Sequence, residues 1–348
     1  MKPELRTDRL TFRRCRPDDF DALLDIYGRP EVARMVASWP IPADPDLIRE
    51  RCQPFPKEEG MVGMVEADGV VVGSIGCHRA GGSTGFGMGY GFHPDHWGKG
   101  YATEIGLALV DAVFARYDTE TITAGHWLDN PASGRVLEKL GLAKTEVMPG
   151  YCVARGEVMD AQLYEITRAG WLARNPLLIE TDRLEIRPYA ARDFADFQRI
   201  AGQEQVARML MSVPYPLDAE TARDWIDSRR YAGPPKFTAG IFLKDGPLVG
   251  NLGIGGDPVS VMYFIDPVQA GQGYATEALE GFLRFTFPRF DLEEVTAAVM
   301  NDNPASARVL EKNGFEIIGH DACQSMARLE PAPNTEYRLT RTAFEARL

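Results

Sequence analysis

The chain contains one domain-sized pattern twice. Four short motifs recur in unchanged order: Thr-Asp-Arg-Leu at 7–10 and 181–184, Val-Ala-Arg-Met at 32–35 and 206–209, Gly-x-Gly-Tyr-Ala-Thr-Glu at 98–104 and 271–277, and Asp-Asn-Pro-Ala-Ser at 129–133 and 302–306. The copies are about half of the 348-residue chain apart, which is far too long for a solenoid repeat. The sequence therefore predicts a tandem duplication, with one domain at 1–174 and a second at 175–348.

Strand and helix patterns follow the same order in both copies. A strand-like run at 86–92, or 261–265 in the second copy, leads into a loop with two glycines and then into a helical pattern. Asp-Gly pairs at 68–69 and 245–246 mark hairpin turns. In Asn-Pro-Ala-Ser the Asn caps a helix whose first turn holds the Pro. We expect an α/β (α+β) fold of two domains, each a mixed, mostly antiparallel sheet flanked by helices.

The glycine loop predicts a pocket for an anion. Gly98 and Gly100, like Gly271 and Gly273, carry no side chain, so backbone N–H groups can turn inward. The helix that follows adds unpaired N–H groups and a partial positive charge. A threonine stands where the third glycine of the dinucleotide-binding GxGxxG belongs, and no GxxxxGK[ST] sequence is present. Neither nucleotide fingerprint therefore applies.

Longer motifs extend the pattern beyond the loop. Copy 1 reads Trp-Gly-Lys-Gly-Tyr-Ala-Thr-Glu at 97–104 and Val-Leu-Glu-Lys-Leu-Gly at 136–141, and copy 2 reads Asn-Pro-Ala-Ser-Ala-Arg-Val-Leu-Glu-Lys-Asn-Gly-Phe at 303–315. In this combination the chain resembles the GNAT superfamily of N-acetyltransferases, specifically the branch similar to ribosomal-protein N-terminal acetyltransferases. The Thr-Asp-Arg-Leu opening with a later Arg13 or Arg187 is similar to that branch too. The resemblance covers nearly the whole chain, once per half.

We call the strand-like run before each loop, 86–92 or 261–265, the key strand of its copy. The resemblance implies acetyl-CoA as the acyl donor, with its pyrophosphate on the loop N–H groups and its pantetheine arm paired to the end of the key strand. The donor-binding residues carried over are Phe92, His93, Trp97, Gly98, Lys99, Gly100, Tyr101, Ala102 and Asn130 in copy 1, and Ile265, Ala270, Gly271, Gln272, Gly273, Tyr274, Ala275 and Asn303 in copy 2. Asp95 and Val268 stand where Gln or Arg is usual, which weakens the phosphate contact while the backbone donors remain.

Catalytic residues are less clearly marked. Many superfamily members carry a Tyr that protonates the leaving thiolate, but Leu137 and Leu310 occupy that position here. The branch that the chain resembles lacks this Tyr too, and Ser133 and Ser306 are the candidate substitutes, the alternative being that each is only a cap-like residue of the helix's first turn. His93 and Asp266 end the two key strands and are the candidate bases, although a lone His near a cleft is more often structural.

The resemblance implies direct attack of a primary amine on the thioester, with no metal. The five cysteines follow no motif, which disfavours a cysteine-linked intermediate and a disulfide or zinc framework. The net charge of −12 argues against nucleic acid as a partner and favours a cationic amine, although acidity for solubility alone explains it as well. The sequence has neither an apolar signal region nor a long apolar run, so we expect a cytoplasmic protein with no membrane partner.

Several alternatives remain open at this level. The acceptor is a protein N-terminus or a small amine, and the two domains are expected to form a pseudo-dimer within one chain, with further oligomerisation open. Gly87, Gly89 and Gly91 leave one face of the first key strand bare, which favours copy 1 as a functional site, whereas Met262 and Phe264 fill the second strand. The rival class is an acyl-CoA-binding sensor or scaffold with one or both copies inactive. A hydride-transfer enzyme is disfavoured by the broken GxGxxG pattern.

Overall fold

The structure, a computed structural model, describes residues 4–79 and 85–348. The chain divides into two compact units, residues 1–174 and 175–348. The strands of unit 1 are β1 Leu5–Arg6, β2 Thr11–Arg14, β3 Gly60–Ala67, β4 Val70–Arg79, β5 Phe86–Phe92, β6 Thr121–Trp127, β7 Ala143–Cys152 and β8 Glu157–Thr167. Its helices are α1 Phe20–Tyr27, α2 Pro30–Ala33, α3 Pro45–Arg51, α4 Tyr101–Arg116, α5 Pro131–Leu140 and α6 Arg168–Arg174.

Unit 2 repeats this order. Its strands are β9 Ile179–Glu180, β10 Leu184–Arg187, β11 Phe237–Leu243, β12 Leu248–Gly255, β13 Ser260–Ile265, β14 Glu294–Met300, β15 Glu316–Cys323 and β16 Ala332–Thr340. Its helices are α7 Phe194–Ala201, α8 Glu204–Ala207, α9 Ala219–Asp227, α10 Tyr274–Phe290, α11 Pro304–Lys312 and α12 Arg341–Glu345.

Each unit has one eight-stranded sheet. The strand order is β1-β2-β3-β4-β5-β6-β8-β7 in unit 1 and β15-β16-β14-β13-β12-β11-β10-β9 in unit 2. Neighbouring strands are antiparallel except for β5 with β6 and β13 with β14, which run parallel. The expected fold class, a mixed and mostly antiparallel sheet with helices in each of two domains, is confirmed.

Local sequence signals explain the turns and helix ends. Asp68 and Gly69 both have positive φ, 50° and 78°, which is the backbone conformation that a tight hairpin between β3 and β4 requires. Helix α5 begins after its capping Asn and ends at Gly141 in a left-handed conformation with φ of 93°. Asp19 occupies the N-cap position of α1, and its counterpart Asp193 occupies that of α7 in unit 2.

The parallel strand pair opens along its length. In unit 1 only Phe86 and Gly87 pair with β6, and in unit 2 only Ser260 pairs with β14. Beyond these residues β5 and β13 remain bound to β4 and β12 on their other side. A strand that has lost one neighbour presents unpaired backbone groups along that edge. This opening lies at the centre of each sheet.

In each unit an aromatic ring fills the space between the first helix and the key strand, but the ring comes from the helix in unit 1 and from the strand in unit 2. In unit 1 the ring of Tyr27 on α1 lies against Gly91 on β5, and a Cβ at Gly91 would come 2.6 Å from the Tyr27 hydroxyl oxygen. In unit 2 the corresponding helix residue is Ala201, and the bulk comes from Phe264 on the strand. The total volume is conserved although its source changes, which a packed core tolerates well.

Within residues 4–79 and 85–348, none of the helices has the length and apolar composition needed to cross a membrane. In the same described ranges, no three His, Cys, Asp or Glu side chains gather as a cluster that could hold a metal ion.

Candidate functional site

The glycine loops have the geometry of an anion pocket in both units. Gly98 and Gly100 have φ of 74° and 82°, and Gly271 and Gly273 have φ of 78° and 82°, in the left-handed region that side chains disfavour. A Cβ at Gly98 or Gly271 would meet no atom within 4 Å, so it would enter the open space in front of the loop. In these described loops the N–H groups of 98–102 and 271–275 donate to no other backbone group. Five successive donors at each helix start are therefore left without a backbone acceptor.

A partly exposed hydrogen-bond network holds each loop in place. In unit 1 Glu104 on the first turn of α4 accepts hydrogen bonds from the Thr7 hydroxyl at 2.5 Å and from Arg9 Nε at 2.7 Å. Arg9 also donates to the carbonyl oxygen of Lys99 at 3.0 Å, and its guanidinium lies over the Tyr101 ring. The Thr-Asp-Arg-Leu motif thus fastens the loop, which explains why it recurs with it.

Unit 2 repeats the network atom for atom. Thr181 Oγ1 and Arg183 Nε each lie 2.6 Å from the Glu277 carboxylate, and Arg183 donates to the Gln272 carbonyl at 3.0 Å. Burial alone would raise the pKa of Glu277, but the hydrogen bonds from Thr181 and Arg183 outweigh it and the pKa is lowered. Glu277 and its counterpart in unit 1 are therefore ionised anchors of the loop.

The key strands aim backbone groups into the openings of the sheets. The N–H of His93 donates to Val72 on β4 at 3.0 Å, and the N–H of Asp266 donates to Val249 on β12 at 2.8 Å. Strand alternation then turns the backbone groups of Phe92 and Ile265 to the opposite, unpaired side. In unit 1 the Trp97 indole N–H donates to the Phe92 carbonyl at 2.7 Å. In unit 2 Ala270 replaces that Trp, and the Ile265 carbonyl lacks this donor.

A tyrosine–serine pair lies across each opening. Tyr90 and Ser133 have their hydroxyl oxygens 2.7 Å apart, and in unit 2 the Ser306 hydroxyl donates to the Tyr263 hydroxyl at 2.9 Å. Tyr263 in turn donates to the Ser306 carbonyl at 2.9 Å. Burial raises the pKa of Tyr90 to about 12 and that of Tyr263 in the same direction. Both phenols therefore stay protonated at neutral pH and act as hydrogen-bond partners of the serines.

Asn130 and Asn303 act as caps of α5 and α11. The side-chain oxygen of Asn130 accepts from the Ser133 N–H at 3.3 Å, and that of Asn303 accepts from the Ser306 N–H at 3.2 Å. Capping fixes the direction in which each helix starts and hence the position of its serine. Asn303 also lines a cavity of unit 2.

In each unit one arginine joins the two recurring motifs Val-Ala-Arg-Met and Asp-Asn-Pro-Ala-Ser. Arg155 forms an ion pair with Asp129 at 2.6 Å and donates to the Arg34 carbonyl at 3.0 Å. Arg328 repeats both contacts, with Asp302 at 2.8 Å and the Arg208 carbonyl at 2.7 Å. The recurring Asp before Asn-Pro-Ala-Ser and the recurring Val-Ala-Arg-Met are therefore two ends of one clamp.

Each of the two candidate bases is buried beside a charged residue of the first helix of its unit. His93 is buried, and its Nε2 is 3.4 Å from the Asp25 carboxylate without forming a hydrogen bond. Asp266 is buried and accepts from Arg199 at 2.8 Å. Arg199 occupies the helix position of Asp25, so the pair is kept with its chemistry exchanged between units.

The contacts of Asp266 disfavour it as a base. Burial alone would raise its pKa, but hydrogen bonds from Arg199, the Val268 N–H and Gln203 outweigh this and lower it. A carboxylate that prefers to stay ionised is a weak proton acceptor. The geometry therefore favours a role for Asp266 in joining α7 to the end of β13.

Replacing Asp266 separates these two roles. We expect Asp266→Asn to lower the free energy of unfolding of the chain by about 1–3 kcal/mol at pH 7, because it removes a charge-assisted bond to Arg199. A depressed pKa stabilises the fold above the unfolded value near ~3.9, and this contribution is lost as pH falls through the folded value. The difference between variant and wild type should therefore shrink in urea titrations below about pH 4.

The control is Asp196→Asn, an exposed neighbour 3.5 Å from Arg199, which should change stability by less than about 0.5 kcal/mol. A loss of turnover in Asp266→Asn without loss of stability would instead make Asp266 the base.

A cavity of about 960 Å³ runs through the opening of unit 2. Its lining includes the glycine loop, Tyr263 and Ser306, and also Met209, Met211, Met262 and Met300. Because Met262 and Tyr263 are neighbours on β13 and their side chains point to opposite faces, the cavity joins the anion pocket to the other face of the sheet. Such a passage lets two reactants meet from opposite sides of one strand.

Sequence reasoning brought together the loops, the caps and the serines but missed Tyr90 and Tyr263. Period-two alternation along the key strand places both on the face opposite Gly89, Gly91 and their counterparts, which is the face of α5 or α11. That alternation was the available signal. The distance to the serine follows from tertiary packing alone.

A domain with this glycine loop, opened strand pair and tyrosine–serine pair has the parts of an acyltransferase, and similarity to known proteins agrees with this. The family model described as "Acetyltransferase (GNAT) domain" matches the chain twice, at residues 9–143 and 183–316. The chain therefore belongs to the GNAT acetyltransferase family, with one copy of the family's domain in each unit. It is an acyltransferase.

Relatives are similar to one half of the chain. The uncharacterized N-acetyltransferase YoaA of Bacillus subtilis (strain 168) is 28% identical over 174 residues, which is 48% of this chain and 98% of YoaA. Among solved structures, spermidine N-acetyltransferase from Vibrio cholerae in complex with CoA and spermine is 14% identical with a TM-score of 0.42, covering 47% of this chain and 99% of that one. RimJ of Mycobacterium smegmatis in complex with CoA-disulfide is 21% identical with a TM-score of 0.39, covering 45% and 81%.

Proposed function

We propose that the chain is an N-acetyltransferase that moves the acetyl group of acetyl-CoA to a primary amine by direct attack. One observation carries the proposal: free N–H groups at a glycine loop and helix start lie beside a strand whose outward backbone has lost its neighbour. Phosphates bind the former, and an amide-bearing pantetheine arm pairs with the latter. The protein N-terminus and the small amine both remain acceptor classes of this activity.

The residues present fit the donor. Gly271 keeps the space before the loop free of a side chain, and Arg308 and Lys312 on α11 add positive charge to the cavity lining. The outward backbone of Tyr263 and Ile265 offers an N–H and carbonyl ladder to the pantetheine amides. A backbone N–H of this edge also polarises the thioester carbonyl.

The reaction needs one proton removed and one supplied. The amine nitrogen bonds to the thioester carbonyl carbon, the carbon–sulfur bond breaks, and the amine loses a proton. Unit 2 is described throughout, and none of the residues lining its cavity is Asp or Glu, so this proton passes to water there. Ser306 turns its single hydroxyl proton from Tyr263 to the departing thiolate sulfur and stabilises its charge, and the released thiolate takes up its proton from water.

The activity is tested by thiol release. The full chain with acetyl-CoA and a panel of primary amines, including short peptides and diamines, should release CoA thiol and form an N-acetylated product by mass spectrometry. A chain that binds acetyl-CoA but releases no thiol above the rate without amine would contradict the proposal. Serial dilution of acceptor then gives kcat and KM for each amine class.

The loop anchor gives a second expectation. Glu277→Gln should weaken acetyl-CoA binding to unit 2 by about tenfold, because it leaves Arg183 without a charge-assisted partner and frees the loop. The matched control is Glu280→Gln on the same helix, whose carboxylate pairs only with Arg284 on the exposed face at 2.9 Å. Equal affinities of the two variants for acetyl-CoA, measured by equilibrium dialysis, would show that Glu277 does not hold the loop in its binding conformation.

A further inference from the structure

The cavity of unit 2 has a positive lining although the chain is acidic. Unit 2 is described throughout, and its cavity lining contains four cationic residues, Arg229, Lys236, Arg308 and Lys312, and no carboxylate. The net charge of −12 therefore does not describe the surface that an acceptor meets. A polycationic amine would find no counter-charge along this path.

Two of the four cations belong to the donor side. Arg308 and Lys312 lie on α11, the helix whose first turn contains Ser306 and which lines the cavity together with the glycine loop. Arg229 and Lys236 lie elsewhere, on the segment between α9 and β11, where the N–H of Thr238 donates to the Arg229 carbonyl at 2.8 Å. This second pair marks the far end of the cavity.

The separation of that end from the reaction centre follows from strand geometry. Lys236 lies beside Gly255, a Cβ on which would be 3.8 Å from the Lys236 Cα, and Gly255 pairs with Ser260 on β13. Ser260 is three residues from Tyr263, which corresponds to about 10 Å along an extended strand. An acceptor spanning this distance would place its amine at the opening and its other end at the cations.

Arg229 is a half-buried cation with no carboxylate partner. Its Nη1 donates to the Trp225 carbonyl at 3.1 Å and to the Ser228 hydroxyl at 2.9 Å, and its guanidinium lies over the Trp225 ring. Burial lowers its pKa, and no acidic group of unit 2 forms an ion pair with it to offset this. A desolvated guanidinium that is positioned but unpaired is suited to bind an anion from solution.

Unit 1 provides an internal comparison. Counted from the helix caps Asp44 and Asp218, the position of Arg229 holds Phe55 in unit 1. The strand registers make Gly60 the unit 1 equivalent of Lys236. Both cations are therefore particular to unit 2. The fold itself does not require them.

We propose that the acceptor of unit 2 carries an anionic group about 10 Å from its amine, bound by Arg229 and Lys236, with apolar atoms between them against Met209, Met211 and Met262. A short apolar peptide with a free carboxylate has this form. The inference rests on the proposed acetyl transfer and names its substrate class.

The test compares three acceptors of one length: an apolar tripeptide acid, the same tripeptide with a C-terminal amide, and a diamine. With the full chain we expect kcat/KM for the acid to exceed that for the amide by about tenfold or more, and the diamine to be the poorest. Arg229→Gln should bring the ratio of acid to amide close to one, and Lys236→Gln should reduce it. The control Arg230→Gln, which removes an exposed side chain paired with Asp227 at 2.7 Å, should leave the ratio unchanged.

Preference for the amide or the diamine, or a ratio that Arg229→Gln does not change, would overturn the inference while leaving acetyl transfer intact. If none of the three is acetylated, binding of acid and amide to the CoA-saturated chain is measured by calorimetry. Equal binding then overturns the inference, and the lack of turnover with these and the wider amine panel overturns the proposed function separately.

Discussion

Gly273→Val is expected to abolish acetyl-CoA binding by unit 2. Gly273 has φ of 82°, a conformation that costs a side-chain-bearing residue roughly 1–2 kcal/mol and costs a β-branched residue more. The variant therefore turns the loop N–H groups away from their common focus and presses a branched side chain against Arg183, whose Nη2 lies 3.5 Å from a Cβ at this position and whose guanidinium holds the loop. Affinity at unit 2 should fall by at least about 100-fold, since several charge-assisted hydrogen bonds are lost together.

The measurement is equilibrium dialysis of acetyl-CoA in a chain that already carries Gly100→Val, so that unit 1 does not contribute. Gly156→Val is the matched control, because Gly156 also has a positive φ, 69°, but lies in the turn between β7 and β8. It carries the same backbone strain away from the loop. Retained affinity in Gly273→Val would mean that the donor binds elsewhere.

Ser306→Ala is expected to lower kcat of unit 2 by about 100-fold with little change in KM for acetyl-CoA, because the hydroxyl assists only the departing thiolate. Tyr263→Phe should lower kcat by less, since it removes the partner that orients Ser306 at 2.9 Å and leaves the serine in place. Because burial raises the pKa of Tyr263, the wild-type rate should show no loss from ionisation of this phenol through its ordinary range near pH ~10.

Both variants are assayed in the Gly100→Val background, with Ser133→Ala in that background as the control that should change nothing. An unchanged kcat in Ser306→Ala would return the serine to the role of a capped helix residue. A large rise in KM for acetyl-CoA with constant kcat would make it a binding group instead.

Much of the site could be read from the sequence because its signals are local. The left-handed glycines, the capping Asn130 and Asn303 and the Asp68-Gly69 hairpin each depend on backbone preferences of a few residues. The duplication made each signal visible twice. The recurring Thr-Asp-Arg-Leu was visible as well, but its purpose was not, because Thr7 and Glu104 are far apart in sequence and meet only through the fold.

The features that sequence reasoning could not supply depend on packing between distant elements. Period-two alternation showed a bare strand face at Gly91, but the ring that covers it comes from Tyr27 on a helix. In unit 2 the ring comes instead from Phe264 on the strand, and no feature of the neighbouring sequence indicates this exchange. The overall charge likewise favoured a cationic acceptor, whereas the charges that line the cavity of unit 2 are set by which side chains reach it.

The central claim is that each glycine loop holds one acetyl-CoA, and calorimetric titration of the full chain tests it most directly. The account predicts a stoichiometry of two per chain, falling to one in either Gly100→Val or Gly273→Val and to none in the double variant. Heat of binding that persists in the double variant, or no binding by the unaltered chain, would contradict it.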